Sequence, residues 1–578
     1  MTESTDSIDS VVPSGRAFAN VADAPRSDDP GLIGRLAEAL DDVGFLAGPI
    51  TELLGSAAVE ALGRDQAAPA LRVLRRIAAD GDRAAAGPQR RLALVVELFL
   101  LARPVPRAAL AAALPQISPE ELAHLGLVEC RGDEVLSRVD LDVHETEDMH
   151  LRVAADLTGF QRPGAALRPD HVLGIGGASQ TLVQIADPRP VRRALDLGTG
   201  CGVQSFHLLR RAEHVIATDL SARALAFARF NLVLNAAALG LDPQDPEARI
   251  ELRRGSLLEP VAGERFDLVV SNPPFVITPR VPHEDEAQRY TYRDGGRRGD
   301  ALVAELIGAL GDVLAPGGSA HLLGNWEIPA EAVRRADGQI ERAWSERVRS
   351  WIPAGLDAWA IQREIETPEG YAETWLRDAS EHTDRARFEA SYDAYLEDFA
   401  SREVAGVGFG WLRLDRPREG EQRPPRLRFE HLGHPVRQPV GAVLAETVRR
   451  ERMLDRLGAQ WEHLHLEVPE HVTEERHGRP GATDPSVILL RQGVGLQRTS
   501  VLTSAAAGLA GACDGELSVA QIVGALGALL DWQAPEGERP REALALLEQT
   551  RHLLIDGFLE APAGDDPAGY GGSGEVPG

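Results

Sequence analysis

The sequence predicts an α/β protein. A Rossmann-like, doubly wound parallel sheet occupies the middle of the chain, and mainly helical, winged-helix-like domains flank it on the N- and C-terminal sides. Three observations carry this. Between residues 191 and 325, short apolar strands alternate with helical runs, which is the signature of a parallel sheet built from βα units. A glycine turn, DLGTGCG, joins the first strand to the first helix. Outside this stretch the apolar residues recur at helical spacing, interrupted by short strand-like pieces.

The totals frame the elements. The chain has 578 residues, enough for three or four domains at roughly 100–200 residues each. Hydrophobic residues make up 43%, sufficient for a sizeable core. No apolar run approaches the roughly 18 residues of a membrane span. The start, MTESTDSIDS, is polar and acidic and does not read as a signal peptide. Cys130, Cys201 and Cys513 are far apart, with neither zinc spacing nor a disulfide framework, so a reducing cytoplasm is the expected setting. The formal charge is −27 and every basic side chain other than histidine is an arginine, a composition that reflects GC-rich coding. That charge disfavours indiscriminate polyanion binding and leaves room for a local basic groove.

Taken in order, residues 1–30 are rich in Ser, Asp and Pro and are expected to be disordered. Residues 31–165 form the N-terminal domain: helical patterns with breaks at Pro104, Pro106 and Pro115, a capping box from Ser118 to Glu121, then a strand, a turn at Gly132-Asp133 and a second strand. Helices followed by a hairpin fit a winged helix; a helical packing domain with a small ribbon fits too. The central domain, residues 166–418, contains the strands RALDLGTG, HVIATDL, RIELRRGS, FDLVVSNPPF and SAHLLGNW, with helices between them. DAWAIQREIE and VGFGWLRLD then read as a closing strand pair separated by a long helical pattern. Residues 419–562 begin with an arginine-rich stretch and end in helices and a short strand, a second possible winged helix. Residues 563–578 are Gly/Asp/Pro-rich and read as a mobile tail.

The glycine turn is the first chemical signal. Asp196 precedes Gly198, Thr199, Gly200 and Gly202. Glycine permits a tight strand-to-helix turn and close approach of a ligand to the backbone. The next strand ends 23 residues later at Asp219, followed by Leu220, and an acidic residue there suits a grip on two ribose hydroxyls. The dinucleotide fingerprint G-x-G-x-x-G is absent. An acidic residue before the glycines points instead to a ligand with a positively charged amino-acid portion. The alternative is an exposed turn with two solvated aspartates.

The second signal is the strand end Asn272-Pro273-Pro274-Phe275. Two prolines remove two N–H donors and stiffen the turn, and Pro273 biases Asn272 away from the α region. An asparagine held beside a backbone carbonyl offers acceptors to an –NH₂ group, and Phe275 offers a face for a planar amide or base. Transfer to such a nitrogen needs in-line placement more than acid strength. The alternative is a stiff turn with a packed phenylalanine.

DLGTGCG, Asp219 and SNPPF in this order resemble the class I S-adenosylmethionine methyltransferases of the N-methylating, small-domain type. The resemblance covers about residues 170–415 and extends to the release-factor glutamine methyltransferases (HemK-like) and the ribosomal-RNA guanine N2-methyltransferases. It implies a seven-stranded sheet, S-adenosyl-L-methionine as cofactor, and contacts from Asp196, the glycine loop, Asp219, Leu220, Ser256 and Asn272. Ser256, in GSLLEP, stands where HemK-like proteins carry an acidic residue. Phe275 stands where they favour tyrosine, and NPPF is more usual among nucleic-acid-directed relatives. YRDGG, Tyr292 to Gly296, resembles the loop that follows NPP in HemK-like enzymes. LAPGGSAHLLGNW resembles the family's fifth strand with its preceding turn. The implied partner is a macromolecular methyl acceptor: RNA or DNA, with an exocyclic base amine first, or a protein glutamine amide. A fold that has kept cofactor binding and lost transfer is the third reading.

Other residues carry weaker signals. HVLGIGGASQTLVQ, His171 to Gln184, reads either as a cover over the cofactor or as a glycine-rich linker. His463 and His465 share a face if they lie on one strand, without a third ligand to make a metal site. Trp326, past the fifth strand, reads as a packed edge tryptophan ahead of a pocket wall. Arg423, Arg426, Arg428 and Arg437 read as a solvated strand ahead of a polyanion contact.

Overall fold

The computed structural model describes residues 15–79, 87–146, 149–162, 167–280, 295–379, 384–421 and 423–562. The chain divides into two compact units, residues 1–183 with 189–433 and residues 184–188 with 434–578. The N-terminal helices and the large sheet therefore share one unit. Of the expectations from sequence, residues 1–14, the tail from 563 and Tyr292 to Asp294 of YRDGG lie outside the described residues.

Residues 15–29 are ordered, against the expectation for residues 1–30. The stretch is polar in composition, yet Phe18, Ala24 and Ser27 are buried. The Ser27 carbonyl accepts from Arg229 at 2.6 Å, and Asp29 caps the helix Pro30–Val43 by accepting from the Leu32 N–H. There follows a helix Pro88–Phe99, a short strand β1 (Val105–Pro106), helices Arg107–Ala113 and Pro119–His124, and a hairpin of β2 (Val128–Arg131) and β3 (Glu134–Ser137). These three strands form one sheet in the order β1-β3-β2. The capping box forms as the sequence requires: Ser118 Oγ accepts from the Glu121 N–H and Glu121 Oε2 accepts from the Ser118 N–H. A second antiparallel pair follows, β4 (Val139–Glu145) with β5 (His150–Asp156).

The large sheet contains β6 (Val191–Leu197), β7 (Ala212–Asp219), β8 (Ile250–Arg254), β9 (Phe266–Ser271), β10 (Leu314–Pro329), β11 (Asp357–Glu366), β12 (Val404–Asp415) and β13 (Leu427–His431), in the order β13-β11-β12-β10-β9-β6-β7-β8. Strands β8, β7, β6, β9 and β10 run parallel, and β12 is antiparallel to both β10 and β11. The seven expected strands are present, and β13 adds an eighth by pairing parallel with β11. It covers the edge that β11 would otherwise leave open. This strand comes from the arginine-rich stretch past residue 418. Arg428 there lies 4.4 Å over the Trp359 ring and Arg423 pairs with Asp357.

Successive strands leave β6 in opposite directions, β7 on one side and β9 on the other. Open α/β sheets bind ligands at such a reversal, beyond the carboxyl ends of the strands. The core beneath includes Leu195, Val269, Leu322 and Trp326. Trp326 is fully buried, stacked on Trp344 at 5.2 Å and bonded through Nε1 to Gln362, so it is a packed tryptophan. The helix Ala222–Leu234 is buried on almost every side, because β5 lies along it. Asn231 and Asn235 each both accept from and donate to the backbone of β5, at Ala154 and Arg152 respectively.

The second unit holds helices Gly441–Leu457, Ser504–Gly511, Val519–Leu529 and Arg541–Asp556. Its strands are β14 (His465–Glu467) paired with β18 (Asp514–Ser518), and a meander of β15 (Val472–His477), β16 (Val487–Gln492) and β17 (Thr499–Leu502). His463 closes a 3₁₀ turn and only His465 lies on a strand, so the two do not share a strand face as expected. Among the described residues no helix is long and apolar enough to cross a membrane.

Candidate active site

The glycine turn forms at the tip of β6. Gly198, Gly200 and Gly202 take φ of +78°, +55° and +99°, values that side chains oppose. The Gly198 and Thr199 N–H groups both donate to the Thr218 carbonyl at 2.9 Å, which pins the turn to β7. Beside Gly200 nothing lies within 4 Å of where a side chain would start, so the turn borders open space.

Asp196 is 1% exposed. Its Oδ2 accepts from Thr199 Oγ1 and Ser205 Oγ, each at 2.7 Å, while the buried Oδ1 has no hydrogen-bond partner. Burial pushes its pKa up to about 6, against the two hydroxyl donors. Asp219, at the tip of β7, accepts from the Gly200 N–H at 3.0 Å and the Ser221 N–H at 2.8 Å. Burial raises it as well, opposed by these backbone donors. Leu220 beside it is 55% exposed. Gly255 N–H donates to the Asp219 carbonyl at 3.0 Å, which brings the GSLLEP loop and the exposed Ser256 to the same side.

Asn272 follows β9, the neighbour of β6. The two strand ends are registered Leu197 to Ser271, and Ser271 Oγ donates to the Leu197 carbonyl at 2.8 Å. A side chain on Gly198 would come within 4.0 Å of the Asn272 carbonyl oxygen. Asn272 Oδ1 is buried without a partner. Pro273 is buried, Pro274 and Phe275 are half-buried, and Phe275 meets Trp375 edge-on at 6.4 Å. Sequence reasoning brought Asp196, the glycines, Thr199, Asp219, Leu220, Ser256 and the NPPF turn to one edge of the sheet, and the structure places them there.

Several neighbours were not foreseen. Tyr371, on the helix Pro368–Asp378 between β11 and β12, accepts through Oη from the Ile277 N–H and from Asn325 Nδ2, both at 2.8 Å. It ties the segment after NPPF to β10. Asn325 Oδ1 and Thr278 Oγ1 are buried without partners. The only sequence hint was the polar Asn in LLGNW, inside an apolar strand. On the other flank, Asp140 and Asp142 of β4 alternate onto one face. Burial and then its neighbour Asp142 hold Asp140 well above the usual carboxylate range, although Gln161 donates to its Oδ1 at 2.7 Å. The Cys201 thiol is pushed up to about 12, chiefly by burial, and feels both Asp196 and Asp140. A side chain on Gly174, in the His171 to Gln184 segment, would come 3.8 Å from Asp140 Oδ2.

The strand order, the reversal at β6, the glycine turn and the adjoining Asn-Pro-Pro-Phe end define this part of the chain as a class I methyltransferase fold of the NPPF/NPPY type. Residues 174–288 match the family described as methyltransferase small domain, and residues 42–138 match a domain of unknown function, DUF7059. The chain is 38% identical over 183 residues to a release factor glutamine methyltransferase of Cereibacter sphaeroides, covering 29% of this chain and 58% of that protein. It is 33% identical over 202 residues to one of Xylella fastidiosa, covering 32% and 62%. The chain thus spans about three fifths of the length of these two relatives. Among solved structures, the ribosomal protein L11 methylase of Lactobacillus delbrueckii subsp. bulgaricus is similar at 16% identity and a TM-score of 0.23, covering 44% of this chain and 83% of that one.

Proposed function

We propose that this chain transfers a methyl group from S-adenosyl-L-methionine to a planar amino or amide nitrogen of a macromolecule. The observation that carries the reading is a pair of buried, unpartnered oxygens, Asp196 Oδ1 and Asn272 Oδ1, at the ends of two adjacent parallel strands. A buried oxygen without a donor costs about 1–3 kcal/mol, and a ligand that supplies donors to both removes that cost.

The residues fit the cofactor. Asp196 would hold its ammonium directly or through water, with Asp140 adding negative field from β4. Asp219 would take the ribose hydroxyls through lone pairs not used by Gly200 and Ser221. Leu220 would lie against adenine with Ser256 near its amine. The open space beside Gly200 admits the chain between them. When bound, the cofactor supplies an electrophilic methyl group on a sulfonium.

The rest is the work of this chain. Asn272 Oδ1 and its backbone carbonyl accept the two N–H groups of the acceptor, which turns the nitrogen lone pair out of the amide or base plane's hydrogen-bonding directions. Phe275, propped by Trp375, offers the flat contact. Excluding water strengthens both hydrogen bonds. No strong base is required before the bond forms, and the surplus proton leaves afterwards.

The acceptor class rests on the relatives. Their shared name supports a protein glutamine amide ahead of the base amine that NPPF had suggested. An exocyclic amine of RNA or DNA is the second reading, favoured by an arginine-lined cleft in the same unit. The experiment is incubation with methyl-labelled S-adenosylmethionine and an extract from a strain lacking the protein. Label in protein supports the first acceptor and label in nucleic acid the second. Cofactor binding without label anywhere would refute transfer.

A further inference from the structure

A cleft of about 1060 Å³ opens in the first unit, and none of its lining residues belongs to the glycine turn, Asp219 or the NPPF end. Its lining comes from residues 20–26, Ala102, the end of the helix Pro119–His124 with the β2-β3 hairpin and the residues just after it, the end of β5 with the stretch after it, and the start of the helix Ala222–Leu234. Six arginines face it, Arg26, Arg131, Arg138, Arg162, Arg168 and Arg223, against three carboxylates, Asp23, Glu129 and Asp156. On a chain with a formal charge of −27, this is a local inversion of sign.

The six do not have the same duty. Arg223 is a scaffold: its side chain is 8% exposed, and it spends its donors on Asp156 and on the carbonyls of Asp23 and Asp170. Arg26, Arg131, Arg138 and Arg168 are 32–63% exposed and pair with carboxylates that are just as open: Asp28, Glu129, Asp23 and Asp170. Exposed pairs of this kind contribute little. Their guanidinium forks can therefore turn to a stronger, bidentate acceptor at small cost, and phosphate is the acceptor that matches the fork. Arg162 is exposed and makes no ion pair with a described residue.

The arrangement around the cleft narrows the ligand. The end of the helix Pro119–His124, the β2-β3 hairpin at Arg131, and Arg138 just past the hairpin all line it. Repeated phosphates along a strand would engage forks contributed by separate segments. We propose that this cleft binds the sugar–phosphate backbone of an RNA or DNA strand, with Arg26, Arg131, Arg138, Arg162 and Arg168 holding the phosphates.

The test needs no methyl donor, so its failure leaves the transfer reading standing, and the reverse. Fluorescence anisotropy with a labelled single-stranded RNA of about 20 nucleotides, and the DNA of the same sequence, is followed from about 50 to 200 mM salt. Binding should weaken with salt on a straight double-logarithmic line. The double variant Arg138→Ala/Arg162→Ala should bind about tenfold more weakly at low salt and flatten the slope by about 1.4, roughly 0.7 for each phosphate of a single strand no longer neutralised. Arg385→Ala, 91% exposed and elsewhere on the unit, should change nothing. No binding at low salt, equal weakening in Arg385→Ala, or full displacement by polyglutamate at equal charge concentration would each overturn the proposal, the last by assigning the cleft to an acidic peptide.

Discussion

Asp196→Asn should stabilise the ligand-free protein at alkaline pH while crippling its use of the cofactor. Burial raises the Asp196 carboxyl from 3.8 to about 6. A carboxyl raised in the folded state stabilises that state only while protonated. The contribution is whole below the unfolded pKa, declines as pH rises, and is gone above the folded pKa. Each unit is 1.36 kcal/mol, so the raised pKa costs the folded state about 3 kcal/mol at pH 8 and about half of that at pH 5. The asparagine does not titrate. Its stability relative to wild type should therefore improve by about 1–2 kcal/mol between pH 5 and pH 8, and fixed costs of the new amide cancel in that difference. The assay is urea unfolding of the sheet-containing unit, read by its buried tryptophans Trp326 and Trp344. Saturating S-adenosylmethionine should close most of that gap at pH 8: at 100 times Kd, wild type gains about 2.7 kcal/mol and the variant much less. An asparagine-minus-wild-type difference that is the same at both pH values would refute the reasoning, since it would mean that Oδ1 is not stranded.

Five further outcomes follow from the geometry. Asn272→Ala should lower the transfer rate about 100-fold by releasing the acceptor nitrogen, with the calorimetric Kd for S-adenosylmethionine changed less than about threefold. Gly200→Ala, at φ +55° with open space beside it, should fold at a cost of about 1–2 kcal/mol and lose cofactor binding. Gly202→Ala, whose new methyl would sit 2.9 Å from Phe206 Cζ, should lose more stability than Gly200→Ala in the same urea titration. Asp140→Asn should weaken S-adenosylmethionine about tenfold by calorimetry and leave 5′-methylthioadenosine, which lacks the charged amino-acid end, unchanged; equal weakening for both ligands would remove Asp140 from that role. Asn231→Ala strands the Ala154 N–H and the carbonyls of Ala154 and Cys201, and should cost about 3 kcal/mol or more, read as a fall in the urea midpoint.

What was legible in the sequence was local. Strands β6 to β10 announced themselves through apolar runs flanked by turns, and the glycine loop, Asp219 and Asn272 each stand within a residue or two of a strand end. The stretch around LRFEH was legible as a strand but read as a solvated one; its place in the large sheet was hidden, because that depends on the edge of β11 far upstream. The helix Ala222–Leu234 carries Arg223, Arg229 and Asn231, letters that suggest a wet face; all three are buried because residues 15–29 and β5 cover them. Tyr371 lies about a hundred residues from Asn272, and nothing in its own neighbourhood marks it. The β15-β17 meander was missed for a related reason: VTEERH is mostly exposed and lacks the alternation that a half-buried strand shows.

The two halves of the candidate site are braced from opposite sides. The glycine turn is held from the N-terminal domain: Asn231 donates to the Cys201 carbonyl at 2.9 Å while gripping Ala154 of β5. The Asn272 segment is held from the insertion between β11 and β12, through Tyr371 and Trp375. The braces meet where β6 and β9 pair, at Leu197 and Ser271. On the proposed reading, in-line transfer tolerates little misplacement, and the distance between donor and acceptor would be set by the central parallel pair, which is flanked by strands on both sides. The braces lie outside that pair. Changes in β5 should therefore act first on cofactor binding, and changes in the insertion first on the acceptor, because each brace reaches only one of the two strand ends.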